Sequence, residues 1–209
     1  MSTEVMNLNS TDSSSRLRAA LDAGTTPDSA DTATVHELIA RCAVEPDFFV
    51  RDMLTWALTR HPASLTVPPL LTELRSPTPQ ARSQALHTLS KLGERSAYPH
   101  ITDELLSDAD DEVARTAWRT AVSIVPRQDE QHLATRLSRQ LGRGPRELRR
   151  SLSRAYLQLG EAGRPALDAT DRTGNTNSAS RAHAAATLIL LEDPDYGFDA
   201  AEYAVTHPE

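Results

Sequence analysis

Three observations on this 209-residue chain predict an all-α fold, a right-handed α-solenoid of about five two-helix repeats. Five segments superimpose in a single register. No stretch alternates apolar and polar residues with a period of two, as a half-buried strand would. Aromatic residues make up only 4% of the chain while Ala, Leu, Thr and Arg abound, a mix suited to closely packed helices rather than sheets.

In chain order, residues 1–12 are polar and rich in Ser and Thr, and are expected to form a disordered tail ahead of a repeat domain over 13–209. SSSRLRAALDAG reads as a short helix with Leu17 and Leu21 on one face and Gly24 at its end. After the linker TTPDSAD, a second helix presents Val35, Leu38, Ile39 and Cys42 on its apolar side.

The repeating segments follow: DFFVRDMLTWALTRH, TPQARSQALHTLSKLG, DDEVARTAWRTAVSIV, PRELRRSLSRAYLQLG and SASRAHAAATLILL. Val50, Ala81, Val113, Leu148 and Ser180 are equivalent starting positions, at steps of 31, 32, 35 and 32 residues. That is the period of a two-helix solenoid unit. Leu54, Ala85, Ala117, Leu152 and Ala184 come four places later; Leu58, Leu89, Ala121, Tyr156 and Leu188 come eight places later. These positions share one face of a helix, which must be buried. The last four segments have upstream partners in SLTVPPLLTELR, YPHITDELL, EQHLATRLSRQL and GRPALDATD. Pro46, Pro68, Pro79, Pro99, Pro145 and Pro165 mark first turns, Gly93, Gly142 and Gly160 mark ends, and Thr78 and Asp110 read as N-caps.

The second helices resemble HEAT repeats, in which an apolar–Arg pair is followed by small residues. Val50-Arg51, Ala81-Arg82, Leu148-Arg149 and Ser180-Arg181 fit this pattern; the third segment departs, with Ala114 in the Arg column and Arg115 one place on. The resemblance extends over residues 31–205 and to the small stand-alone HEAT-repeat proteins of actinobacteria. It implies that the column arginine bonds a carbonyl or acid near the turn between paired helices, and that second helices line the inner surface.

Side chains outside the core columns are the candidates for function. Two and six places after each start come Asp52 and Trp56, Ser83 and His87, Arg115 and Arg119, Arg150 and Arg154, and Ala182 and Ala186. Each pair forms one stripe on its helix. Asp52, Trp56, His87, Arg115, Arg119, Arg150 and Arg154 are therefore the expected partner-binding residues. From Arg136 to Arg154 there are seven arginines and one acid, Glu147. Either an anion meets them or the acids between Asp103 and Glu112 neutralise them. Trp118 falls in a column with Leu86 and reads as an inter-repeat core contact.

No catalytic, cofactor or metal motif is present, and His61, His87 and His183 occupy different columns. A non-catalytic protein–protein interaction module, an adaptor or regulator binding a protein or acidic peptide segment through the groove of second helices, is the expected function. Two alternatives come with the resemblance: a nucleic-acid-binding protein like the HEAT-like DNA glycosylases, and a lyase-type accessory protein like the HEAT-like bilin lyases. The net charge of −7 disfavours nucleic acid. Without an apolar leader or span, and with Cys42 the single cysteine, a cytoplasmic protein that does not enter the membrane is expected. Leu152→Ala should cost about 2–5 kcal/mol of stability in denaturant unfolding, the usual range for a core leucine.

Overall fold

The fold is taken from a computed structural model, which describes residues 7–25, 32–172 and 177–207. Among these residues there are helices and no strands. The chain divides into two compact units, one running to His100 and the other starting at Ile101.

In the first unit, helices α1 (Ser13–Thr25), α3 (Phe48–Arg60) and α5 (Pro79–Leu92) form one layer, and α2 (Thr32–Cys42) and α4 (Ala63–Glu73) the other. The predicted repeat face is the buried one: Val50, Leu54, Ala57 and Leu58 on α3, and Ala81, Ala85, Thr88 and Leu89 on α5. Val35, Leu38, Ile39 and Cys42 are buried on α2 as expected. Pro68 and Pro69 lie inside α4 rather than in its first turn, because that helix begins five residues earlier, at Ala63.

The N-terminal reading needs two corrections. Residues 1–6 and most of the linker lie outside the described residues, but residues 7–12 are held. Leu8 is buried, and Arg16 donates to the carbonyls of Ser10 and Thr11 at 2.9 and 3.1 Å. The buried face of α1 is Arg16, Ala19, Ala20 and Ala23, while Leu21 points to solvent. Small residues win this face because α1 lies very close to α3. Gly24 is inside the helix rather than after it, and a Cβ there would stand 2.3 Å from Cζ3 of Trp56.

In the second unit, α7 (Asp111–Ile124), α9 (Arg146–Leu159) and α11 (Ser178–Glu192) form one layer, with α8 (Glu130–Ser138) and α10 (Arg164–Arg172) behind them. The short α6 (Asp103–Leu106) packs on α7, and α12 (Phe198–Thr206) packs on α11. The first helix expected at YPHITDELL is a 3-10 turn over Arg95–His100 followed by α6. Trp118 is fully buried on α7, and its indole N–H donates to the carbonyl of Leu106 at 2.7 Å. In α11 the buried face is turned by one position: Ala186, Thr187 and Leu190 are inside, whereas Leu188 is only half-buried. The cause is α12, whose Phe198 and Ala201 form a cluster with Ala186 and Leu190.

The first unit is tied together at Glu45, which is wholly buried. Its carboxylate accepts from Arg16 Nε and Nη2 and from Arg41 Nε, all at 2.7 Å, and from the backbone N–H of Asp47 at 2.9 Å. Burial opposes the charge, but Arg16, the Asp47 N–H and Arg41 outweigh it and hold the carboxyl down at about 2. Removing one partner of a buried ion pair strands the others, so Glu45→Gln should lower stability by about 3–5 kcal/mol in chemical unfolding.

Candidate functional site

The arginine column is structural, and its geometry is uniform. Arg51 Nη1 donates to the carbonyls five and six residues before it, Pro46 and Glu45, both at 2.8 Å. Arg82 Nη1 does the same to Pro77 and Ser76, at 3.3 and 2.8 Å, and Arg149 Nη1 reaches the carbonyl of Gly144 at 2.8 Å. The third repeat, with Ala114 in this column, has an orphan carbonyl at Asp108. Arg143, from the loop before α9, donates to it and also pairs with Asp111. The departure in the third repeat is thus repaired by its neighbour. The carbonyls equivalent for Arg181 lie outside the described residues.

The neighbouring arginines are also engaged. Arg136 and Arg139 bracket Asp103 at 2.6 and 2.8 Å, which draws its carboxyl below the ordinary range. Arg146 pairs with Asp199, and Arg149 with Glu202 at 2.8 Å. Of the expected stripe, Arg115 is paired with Glu112 one turn earlier on α7. Arg119, Arg150 and Arg154 form neither an ion pair nor a side-chain hydrogen bond among the described residues. Arg119 and Arg154 are exposed, and Arg150 is half-buried.

One contact fixes how the two stripes lie. Gln158, one turn beyond Arg154, donates from its side chain to the carbonyl of Val122 at 3.4 Å. Val122 in turn lies three residues beyond Arg119. The Arg150–Arg154–Gln158 stripe of α9 therefore runs beside the Arg115–Arg119–Val122 stripe of α7. On α11 the same column holds Ala182 and Ala186, and Ala186 is covered by α12.

The first unit carries the other expected site residues. Asp52 is exposed, Trp56 is 37% exposed with its ring against Gly24, and His87 is half-buried. Sequence reasoning missed Phe48 and Phe49, which are 65% and 72% exposed at the start of α3. They stand edge to face at 5.7 Å between centroids, with the guanidinium of Arg51 6.0 Å from the Phe48 ring. Their position outside the repeating apolar columns was the available signal.

The scattered histidines include one with a full set of partners. His183 Nδ1 accepts from the N–H of Gly142 at 3.0 Å, a glycine held at φ 80° against the backbone of Ser180. The ring proton is therefore on Nε2, which donates to Ser153 Oγ at 3.0 Å. Ser153 turns its hydroxyl to Thr187 Oγ1 at 2.7 Å, and Thr187 donates to the His183 carbonyl at 2.8 Å. Ser153 and His183 are each 1% exposed, and the serine accepts from the imidazole instead of donating to it. This is the reverse of a nucleophile and its base, and it closes off the pair as core. Among the described residues no group of three or more His, Cys, Asp or Glu could hold a metal ion. No helix there is long and apolar enough to cross a membrane.

Two layers of paired helices, with a recurrent arginine capturing the carbonyls before each second helix, define a helical-repeat protein. Residues 35–123 match the family model of HEAT repeats, so that part of the chain carries HEAT repeats. No curated protein matches it significantly. Among solved structures it is similar to an engineered protein, at 19% identity over 88% of this chain and 93% of that one, with a TM-score of 0.46. It is also similar to human deoxyhypusine hydroxylase in complex with glycerol, at 15% identity over 96% and 98%, with a TM-score of 0.34. At these scores neither likeness bears on function.

Burial pushes the His183 imidazole down to about 4. A histidine depressed in the folded state takes up fewer protons there than in the unfolded chain. Its contribution is complete above the unfolded value near 6.5 and drains away as pH falls toward 4, by roughly 3 kcal/mol in all. NMR titration should find the His183 ring neutral at pH 5, and a ring titrating near 6.5 would contradict the network.

Proposed function

We propose that the chain is a non-catalytic protein–protein interaction module, an adaptor or regulator, and that the α7–α9 face of its second unit receives an acidic peptide segment. The observation that carries this reading is the contrast among the arginines. Arg136, Arg139, Arg143, Arg146 and Arg149 each have an acid, whereas Arg119, Arg150 and Arg154, on two neighbouring helices, have none. Three adjacent guanidinium groups in a chain of net charge −7 repel one another, and the repulsion is relieved by carboxylates that each fork can grip with two N–H groups. No acid pairs with these three among the described residues, and Asp103 and Asp111 pair with other arginines. A duplex nucleic acid would meet the same three charges but also the field of the whole acidic chain.

Fluorescence anisotropy with a labelled Glu/Asp-rich peptide tests the reading, with a Lys-rich peptide and a short DNA duplex as parallel probes. The acidic peptide should bind and weaken as salt rises, since exposed pairs are screened within about 8 Å at physiological ionic strength. Arg150→Glu with Arg154→Glu should abolish binding and leave the melting temperature nearly unchanged, because Arg154 is exposed and the half-buried Arg150 has no ion pair or side-chain hydrogen bond to lose among the described residues. Binding that survives the double reversal, or preference for the duplex, would overturn the proposal.

A further inference from the structure

A second surface lies in the first unit, on the side of α3 that carries its exposed side chains among the described residues. Phe49, Asp52, Trp56 and Arg60 recur at steps of three and four residues and so form one stripe along the helix. Phe48 flanks the stripe, and Val44, 63% exposed, precedes it in the turn. Single exposed apolar residues are ordinary, but here Val44, Phe48 and Phe49 gather at the start of α3 and Trp56 stands two turns further along the same stripe. The patch is rigid. Asp47 caps α3 by accepting from the N–H groups of Phe49 and Val50, Arg51 is pinned to two carbonyls beside Phe48, and the Trp56 ring rests on Gly24.

We infer that this stripe is a self-association surface, on which α3 of one copy packs antiparallel against α3 of a second copy with Trp56 at the twofold axis. The charges carry the inference. Asp52 stands four residues before Trp56 and Arg60 four residues after it; both are exposed, and neither has an ion pair or side-chain hydrogen bond among the described residues. Four residues rise about 6 Å along a helix. Two such helices related by a twofold through Trp56 therefore bring each Asp52 opposite Arg60 of the other copy. A parallel arrangement would set like charges against each other. An isologous interface requires this kind of self-complementary pattern.

The exposed area agrees. Taking ~200 Å² for a fully exposed aromatic side chain, the three aromatics and Val44 offer roughly 450 Å² of apolar surface. A standard interface of ~800 Å² per partner that is a little over half apolar contains about that much.

Sedimentation velocity on the full chain, over concentrations from ~1 to ~500 μM, tests the inference. The chain should pass from monomer to dimer, and added salt should weaken the dimer. Asp52→Arg and Arg60→Asp should each weaken self-association about tenfold, since each sets like charges opposite one another twice per dimer. Combining the two reversals restores both pairs and should bring the affinity back to within about threefold of the parent. Phe48→Ser with Phe49→Ser should also weaken the dimer. Circular dichroism and melting curves confirm that each variant is folded. A chain that is monomeric throughout, a dimer indifferent to the reversals, or a double reversal no better than the singles would overturn it. None of these results depends on the arginine face of the second unit, so the acidic-peptide reading stands or falls separately.

Discussion

The carbonyls that lead into each second helix are the constraint around which the repeats are built. Such loops turn sharply between two layers, their carbonyls have no helical partner, and a buried orphan carbonyl is costly. Arg51, Arg82 and Arg149 each fold back on those of their own loop, and Arg143 does so for the loop that lacks its own arginine. A second set of donors crosses between repeats. Gln80 Nε2 binds the carbonyls of Cys42 and Glu45, and Ser180 Oγ binds that of Leu141 at 2.6 Å. One two-helix unit cannot bury its own apolar face. These cross-repeat bonds fix the angle and spacing at which the next unit covers it.

Glu45 is the strongest form of the same solution. Its carbonyl serves Arg51 and Gln80, while its carboxylate gathers Arg16 from α1, Arg41 from α2 and the N–H of Asp47 at the start of α3. A buried carboxylate is tolerable only with such a full complement of donors. Arg16 completes the arrangement by taking the carbonyls of Ser10 and Thr11, so the mostly polar stretch at residues 7–12 is held by hydrogen bonds as well as by the buried Leu8. The close approach of α1 to α3, which Gly24 permits, follows from the same anchoring.

What could be read from the sequence follows from what is periodic. The core columns of α3, α5, α7 and α9 were legible because each residue recurs with the repeat, and Leu54, Leu89 and Leu152 are fully buried. Legibility failed where a neighbour outside the period intervenes. Leu17 and Leu21 were a natural apolar pair, but close packing favours Ala over Leu at the α1–α3 contact. Leu188 held the expected place, but α12 rotates the buried face of α11. At the candidate site the stripe residues could be named in advance, whereas their partners could not. Arg115 finds Glu112 within its own helix, and Arg136, Arg139 and Arg143 reach acids 32 to 36 residues away. Rotamers and loop geometry decide those pairings, and one-dimensional spacing holds neither.

The division between shared and free columns also explains how one scaffold carries different surfaces. Core columns hold small and apolar side chains, Trp118 and Tyr156 the largest among them, because each packs against the next. The stripe at the second and sixth positions is under no such restriction, and its chemistry changes along the chain: an acid and an aromatic on α3, guanidinium groups on α7 and α9, alanines beneath α12 on α11. The alanines mark the position where the fold itself uses the stripe, since only small residues admit a helix that close. On α7 and α9 the stripe carries guanidinium groups, and on α3 the Trp56 ring meets Gly24 of α1 while Asp52 stays exposed. Long charged groups reach away from the backbone, so this stripe on α7 and α9 differs from that on α3 without any change in the core columns that hold the stack.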